Sequence, residues 1–240
     1  MPRFYTTQSL QPDQTLELES GPSHHLARVL RIQTGATVQL FNGDGCDYDA
    51  EVVDVDRRAV TLRIGEPAPG IAESPLAIEL GIAISKGERM DFVVQKATEL
   101  GVSRIVPLLT ERVEVRLKGE RAERRLEHWR GVIIAACEQC GRATLPHLAE
   151  PQPFASWLAG CNAERRFVLH HRTASALSSS ARPASVALAI GPEGGLSAAE
   201  IALAEAAGFE ALQLGPRVLR TETAPLTALS ILQFVWGDLG

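Results

Sequence analysis

No apolar run in this chain of 240 residues is long enough to cross a bilayer, a task that takes about 20 consecutive apolar residues. The first ten residues, MPRFYTTQSL, lack the basic-then-apolar pattern of a signal peptide. A cytoplasmic protein is the expectation. Cysteine is scarce, with only Cys46, Cys137, Cys140 and Cys161. Cys137 and Cys140 have a CxxC spacing, but no second pair accompanies them and no histidine lies at a zinc-finger distance. Near the end of an expected helix they read as small buried apolar residues in preference to metal or redox groups. Disulfides are not expected in that compartment. There is no internal repeat, no Ser-His-Asp arrangement, no metal-ligand cluster, and no GK[ST] of a phosphate-binding P-loop. Positive charge is not in excess either. The net charge of −5 argues against a general nucleic-acid binder. Phosphate contacts are local, however, and basic residues gather at 28–31, at Arg57 and Arg58, and along 112–130. In the last stretch seven Arg or Lys accompany four Glu, which fits either a solvated helix face or an RNA-facing one.

The organisation changes along the chain. The first seventy residues read as short strands at 37–41, 47–55 and 59–64, with Asn42-Gly43-Asp44-Gly45 as a strong turn signal. Such spacing suggests a small barrel. A Pro-, Gly- and Ala-rich linker is expected at 66–75. Beyond it, strands and helices alternate, giving an α/β fold with a mainly parallel sheet. Strands are expected at 76–84, 105–109, 167–169, 186–190 and 211–214. Helices are expected at 90–100, with Gly101 as its C-cap, and at 120–139. Ser197 and Glu200 fit a capping box for a helix ending at Gly208. The final helix starts near Thr221 or Thr223, tolerates Pro225 in its first turn, and is expected to bury Leu226, Leu229, Leu232 and Trp236. Residues 175–185 read as a loop.

Two glycine-proline runs dominate what is present: GPEGG at 191–195 and LGPRVLRTETA at 214–224. Each follows a short apolar strand and leads into a helix. Glycine lets a backbone turn sharply and approach a ligand closely, and a helix start leaves amide N–H groups unpaired. Two such loops side by side at the carboxyl ends of parallel strands would form a crevice for a cofactor. An anion cradle for a nucleotide phosphate is a rival reading, disfavoured by the adjacent Glu193.

At GPEGGLSAAE and LGPRVLRTETA the chain resembles the RsmE family, bacterial enzymes that methylate N3 of a uridine in 16S ribosomal RNA with S-adenosylmethionine. The resemblance continues through ISKGERMDFVVQKATELGVSRIVPL at 84–108, AACEQCGR at 135–142 and HHLARVLR at 24–31. It implies a PUA-like RNA-binding barrel over residues 1–70 and a SPOUT-type methyltransferase domain with a C-terminal trefoil knot over 75–240. It also implies a homodimer, the small ribosomal subunit as partner, no membrane and no metal, and uridine 1498 by the family's convention as target. A catalytically inactive ribosome-assembly protein, or a SPOUT methylase acting at another RNA site, stays open.

On this resemblance S-adenosylmethionine would lie among Gly191, Pro192, Glu193, Gly194 and Gly195 from one loop. Leu214, Gly215, Arg217, Val218, Leu219 and Thr221 would hold it from the other. Leu169 and Ile190, with Leu196, add apolar walls. His170 and His171 stand at the first cofactor loop, where this sequence departs slightly from the family pattern. Arg220 would stabilise negative charge on the uracil, and Glu222 or Glu193 would accept its proton; Glu222 reads equally as a helix-start residue complementing the dipole. Arg3, His24, Arg28 and Arg31, with Lys86, Arg89, Lys96, Arg112 and Arg142, are the expected RNA contacts.

Overall fold

The computed structural model describes residues 1–56, 59–113, 119–170 and 181–240. The basic turn at Arg57 and Arg58, part of the 112–130 cluster, His171 and most of the 175–185 stretch lie outside them. Two compact units emerge: residues 1–73 with 137–145, and residues 74–136 with 146–240.

The first unit contains β1 (Arg3–Tyr5), β2 (Thr15–Glu17), α1 (Ser20–His24), β3 (Thr37–Phe41), β4 (Cys46–Val55) and β5 (Val60–Pro69). The helix α1 continues as a π-helical stretch over His25–Val29. The five strands form one sheet in the order β1-β3-β4-β5-β2. Alternation drives it: Val38, Leu40, Val52, Val60, Leu62 and Ile64 face inward and are fully buried, each worth roughly 1.5–3 kcal/mol when removed from water. The turn between β3 and β4 needs its glycines, since Gly43 and Gly45 have φ of +94° and +90°, a region costly for other residues. The two edge strands are tied by a side chain. Glu19, just after β2, accepts hydrogen bonds from Thr6 Oγ1 and the Thr7 N–H, just after β1.

Strand β5 runs to Pro69, five residues beyond the expected end, so the first four residues of the expected linker are strand. Its far half pairs with Cys46, Asp47 and Tyr48 on one side, while β2 pairs only with Thr61, Leu62 and Arg63 on the other. Past Arg63 the missing N–H groups of Pro67 and Pro69 cost no ladder bond on the unpaired side.

The second unit contains β6 (Ala77–Ala83), α2 (Glu88–Glu99), β7 (Arg104–Leu109), α3 (Glu120–Cys140, its last turn counted with the first unit), β8 (His147–Leu148), β9 (Gln152–Pro153), α4 (Phe154–Gly160), β10 (Arg165–Leu169), β11 (Ser185–Ile190), α5 (Ala198–Ala206), β12 (Glu210–Leu212) and α6 (Thr223–Trp236). The sheet order is β12-β10-β11-β6-β7-β8, with β9 also on β7, and every ladder is parallel. The central strand β11 is buried on both faces, as a sheet covered on both sides requires: Val186 and Leu188 on one face and Ala187 and Ala189 on the other are fully buried. Helix α4, absent from the sequence reading, buries Phe154, Trp157 and Leu158.

Helix boundaries follow local chemistry. Gly101, at φ +76°, ends α2, and the Ser197–Glu200 capping box is formed in both directions at α5. In α6 the buried positions are Pro225, Ala228, Leu229, Leu232, Gln233 and Trp236, while Leu226 is only half-buried. The unexpected member is Gln233. It donates from Nε2 to the carbonyls of Leu100 and Gly101 at 2.9 and 3.3 Å, and its Oε1 accepts from Ser74 Oγ at 2.6 Å. Those contacts join α6 to the end of α2. Gln233→Leu keeps the volume but strands a buried carbonyl, and urea unfolding should report a loss of about 1–3 kcal/mol.

Candidate functional site

Strand β10 lies between β11 and β12. The two glycine loops are therefore not adjacent, as the sequence suggested; they flank the carboxyl end of β10. Because all three strands are parallel, their carboxyl ends open on one edge. Leu169 and His170 leave β10, residues 191–196 leave β11, and residues 213–221 leave β12. These segments enclose a cavity of about 280 Å³, close to the lower end of the usual range for small-molecule sites.

All the described residues expected from the sequence to hold a cofactor, Leu196 included, line that cavity, with Leu212, Gln213 and Ala224 in addition. Leu212 and Gln213 escaped the reading because β12 ends at Leu212, two residues earlier than expected, which puts Leu212 at the strand's end and Gln213 in the loop.

The first loop folds on itself. The Gly195 N–H donates to the Pro192 carbonyl at 2.8 Å, with Gly195 at φ +68°. A Cβ on Gly191 would stand 2.8 Å from the Leu196 backbone nitrogen and 2.9 Å from its Cγ, so only glycine fits. In the second loop Gly215 has φ +84°. Among the described residues, none of the N–H groups from Leu214 to Thr221 donates to another backbone group. Backbone donors left so are available to a ligand. Leucines form the walls and glycines the close approaches, a combination suited to a flat heterocycle with a polar sugar.

Outside the cavity, two arginines reach the first loop. Arg89 Nη1 donates to Glu193 Oε1 at 2.8 Å, and Arg112 Nη1 donates to the Gly194 carbonyl at 2.6 Å. Burial pulls the Glu193 carboxyl upward, but hydrogen bonds from its own and the Lys86 backbone and from Arg89 outweigh it, and the pKa is lowered. Glu193 is therefore a weaker base than a free glutamate and is engaged with Arg89. His170 is nearly buried, with Nε2 3.8 Å from Glu205 Oε1.

Arg220 and Glu222 do not line the cavity, although Leu219, Thr221 and Ala224 around them do. Arg220 is exposed, and its carbonyl accepts from Thr223 and Ala224 at 2.9 Å each. Glu222 is the N-cap of α6, without a side-chain capping bond.

The expected RNA contacts divide into exposed and internal groups. His24, Arg28, Arg31 and Lys86 are exposed. Arg3 and Arg142 are not available to phosphate. Arg3 pairs with Asp47 at 2.7 Å, donates to the carbonyls of Cys137 and Arg142 at 2.6 and 2.9 Å, and stacks on Phe41. Arg142 is buried on Glu73 at 2.5 Å. Lys96 pairs with Glu99 along α2 at 2.8 Å. Cys137 is fully buried, and burial pushes its thiol up to about 12, far from the thiolate that metal or redox chemistry needs.

Residues 72–233 match the family described as an RNA methyltransferase domain, and residues 23–65 match an RNA methyltransferase PUA domain. A ribosomal RNA small subunit methyltransferase E from Buchnera aphidicola subsp. Schizaphis graminum is 33% identical, over 100% of this chain and 98% of its own. Among solved structures, a ribosomal RNA small subunit methyltransferase E from Neisseria gonorrhoeae bound to S-adenosylmethionine is similar at 37% identity and a TM-score of 0.93, with 100% of both chains covered. A Legionella pneumophila protein, also solved with S-adenosylmethionine, is similar at 43% identity and a TM-score of 0.95, with 99% of each chain covered.

The Glu193 contacts set a pH expectation. A carboxyl whose folded pKa is depressed contributes stability above its unfolded pKa, and that contribution is lost as pH falls through the folded value. The Arg89–Glu193 pair should therefore persist below the ordinary glutamate range. Carbon-13 titration of the Glu193 carboxyl should give a midpoint below that of an exposed glutamate, and Arg89→Ala should move it upward.

Proposed function

Because the chain belongs to the RsmE family of RNA methyltransferases, we propose that it transfers a methyl group from S-adenosylmethionine to N3 of a uridine in 16S ribosomal RNA. The observation that carries this reading is the convergence of three strand-end segments on one cavity with apolar walls and unpaired main-chain donors. Bound there, the sulfonium cofactor would supply an electrophilic methyl group without activation by the protein.

The chain's own residues then have three tasks. Loops 191–195 and 214–221 hold the adenosine through main-chain atoms, with Leu169, Ile190, Leu214 and Leu219 excluding water. Arg220, exposed beside the cavity-lining Leu219 and Thr221, stabilises the negative charge that develops on the uracil oxygens as N3 loses its proton. Glu222, two residues beyond Arg220, accepts that proton in this reading, with Glu193 engaged by Arg89. The uridine must be unpaired, since N3 lies on the Watson–Crick edge.

His24, Arg28 and Arg31 in the first unit and Lys86 in the second meet phosphates, fixing position without reading sequence. The same reading takes uridine 1498 as target and includes the trefoil-knotted path of the C-terminal segment, a cytoplasmic site of action and pairing of two chains. Exposed Phe234, Val235 and Leu239 near the end of α6 support the pairing, because monomers seldom leave apolar side chains clustered in water. Among the described residues no helix is long and apolar enough to cross a membrane.

Mass mapping of ribosomal RNA nucleosides from cells lacking this protein should show one 3-methyluridine missing. Wild type should restore it. Arg220→Ala should not, with turnover reduced about 10²-fold at unchanged affinity for S-adenosylmethionine; full restoration by that variant overturns the assignment of Arg220. The double variant R28A/R31A should weaken RNA binding and flatten the slope of log K against log salt by about 2, with cofactor affinity intact. An equal loss of both affinities would instead indicate misfolding.

A further inference from the structure

Within the proposed methyltransfer reading, we infer that Arg89 and Arg112 are positioning residues for the cofactor loop, a clamp that holds residues 193–194 against the cavity from behind. The strand order carries the argument. The cavity lies on the side of β11 occupied by β10 and β12, whereas β6 and β7 succeed one another on its other side. Arg89 follows β6 at the start of α2, and Arg112 follows β7. Each extends to the loop after β11, Arg89 to the Glu193 carboxylate and Arg112 to the Gly194 carbonyl. Glu193 and Gly194 themselves line the cavity, so each arginine bonds to a residue whose other face meets the ligand space.

Both arms are anchored. The Lys86 backbone, at the turn before α2, also hydrogen-bonds Glu193. Beside Arg112, the Glu111 N–H donates to Glu200 Oε1 at 2.8 Å, while Glu200 Oε2 accepts from the Ser197 N–H in the capping box. One carboxylate thus fixes the start of α5, which follows the loop, and the root of the arginine that holds it. The Arg112 side chain also packs on the loop: its Cδ lies 3.4 Å from where a Gly194 Cβ would stand. A loop rich in glycine has many conformations to lose on binding. Contacts that fix it beforehand raise the fraction of molecules ready to bind, and apparent affinity rises by the same factor.

The two arms differ in strength. Arg89 and Glu193 are each more than a third exposed, at 48% and 40%, and water screens such a pair. The Arg112 bond is also exposed, but it is a charge-assisted contact to a main-chain carbonyl that has no side-chain freedom to lose. Calorimetric titration of the full chain with S-adenosylmethionine should show Arg89→Ala weakening binding about threefold and Arg112→Ala about tenfold. Saturating cofactor should restore kcat in both, leaving the defect in KM. R89A/E193Q should lose no more than the worse of its two single variants, because both remove one interaction. RNA affinity should stay at its wild-type value, and the melting temperature of the cofactor-free protein should fall by at most about 4 °C.

Unchanged cofactor affinity in both alanine variants overturns the clamp, as does a loss of RNA affinity by Arg89→Ala with cofactor binding intact. Should Arg112→Ala fail to fold, Arg112→Lys carries the test: an ammonium able to reach the carbonyl recovers affinity, and a folded protein that stays tenfold weaker overturns the role. Wild type failing to bind S-adenosylmethionine would sink the methyltransfer reading itself, and the clamp with it.

Discussion

Parallel pairing on both sides of β10 is the constraint from which the site follows. Val168 stands level with Ala189 of β11 and with Ala211 of β12, so three chain segments leave the sheet at neighbouring points on one edge. Nothing in either glycine loop alone would make a cavity. A slip of one residue in the β10–β12 ladder would shift one wall by about 3.3 Å and turn every side chain of the strand to the opposite face. The burial of Phe167, Val168, Leu188 and Leu212 makes that slip costly. Core packing thereby sets the width of the cavity.

The loops themselves are bought with conformational freedom that has to be restrained elsewhere. Gly191, Gly195 and Gly215 supply close approach and positive φ, and the price is a backbone with little intrinsic preference. Restraint comes from groups that do not line the cavity. The α5 capping box closes one end of the 191–197 segment, the Arg220 carbonyl accepts the first N–H groups of α6 beyond the other loop, and two arginines reach in from the β6 and β7 side. A partial division follows: small and apolar residues make most of the cavity wall, joined by His170, Glu193 and Arg217, while Arg89 and Arg112 hold the first loop without lining the cavity.

Much of this was legible in the sequence because its cause is local. Capping at Ser197 and Glu200, the stop at Gly101, the turn at Gly43 and Gly45 and the apolar strands all depend on residues within a few positions of each other. The cavity residues were legible through the two glycine runs and the resemblance they carry. What was not legible depends on partners far along the chain. Arg3 read as a surface cation, yet its partners are Asp47, 44 residues on, and the Cys137 carbonyl, 134 residues on. Gln233 carried no local signal in α6, yet its Nε2 donates to the carbonyl of Leu100, 133 residues away. The place of β10 between the two loop-bearing strands is likewise a long-range fact, since β11 and β12 follow each other in sequence and only the sheet separates them.

The charge balance resolves once each arginine is placed. An acidic chain of net charge −5 looks ill-suited to a phosphate-rich partner, and Arg3 and Arg142, paired with Asp47 and Glu73, leave that balance as it is. Electrostatic reach decides the matter. At physiological ionic strength the screening length is about 8 Å, so a phosphate senses the few side chains beside it and little of the total. Arg28 and Arg31 stand three residues apart at the end of the helical segment of the first unit, both exposed, with His24 one turn earlier. Such a cluster attracts phosphate locally while the surplus of carboxylates elsewhere discourages indiscriminate adhesion to nucleic acid. An acidic total and a confined basic segment are therefore complementary: under the proposed function the second would dock the RNA, and the first would limit where docking can occur.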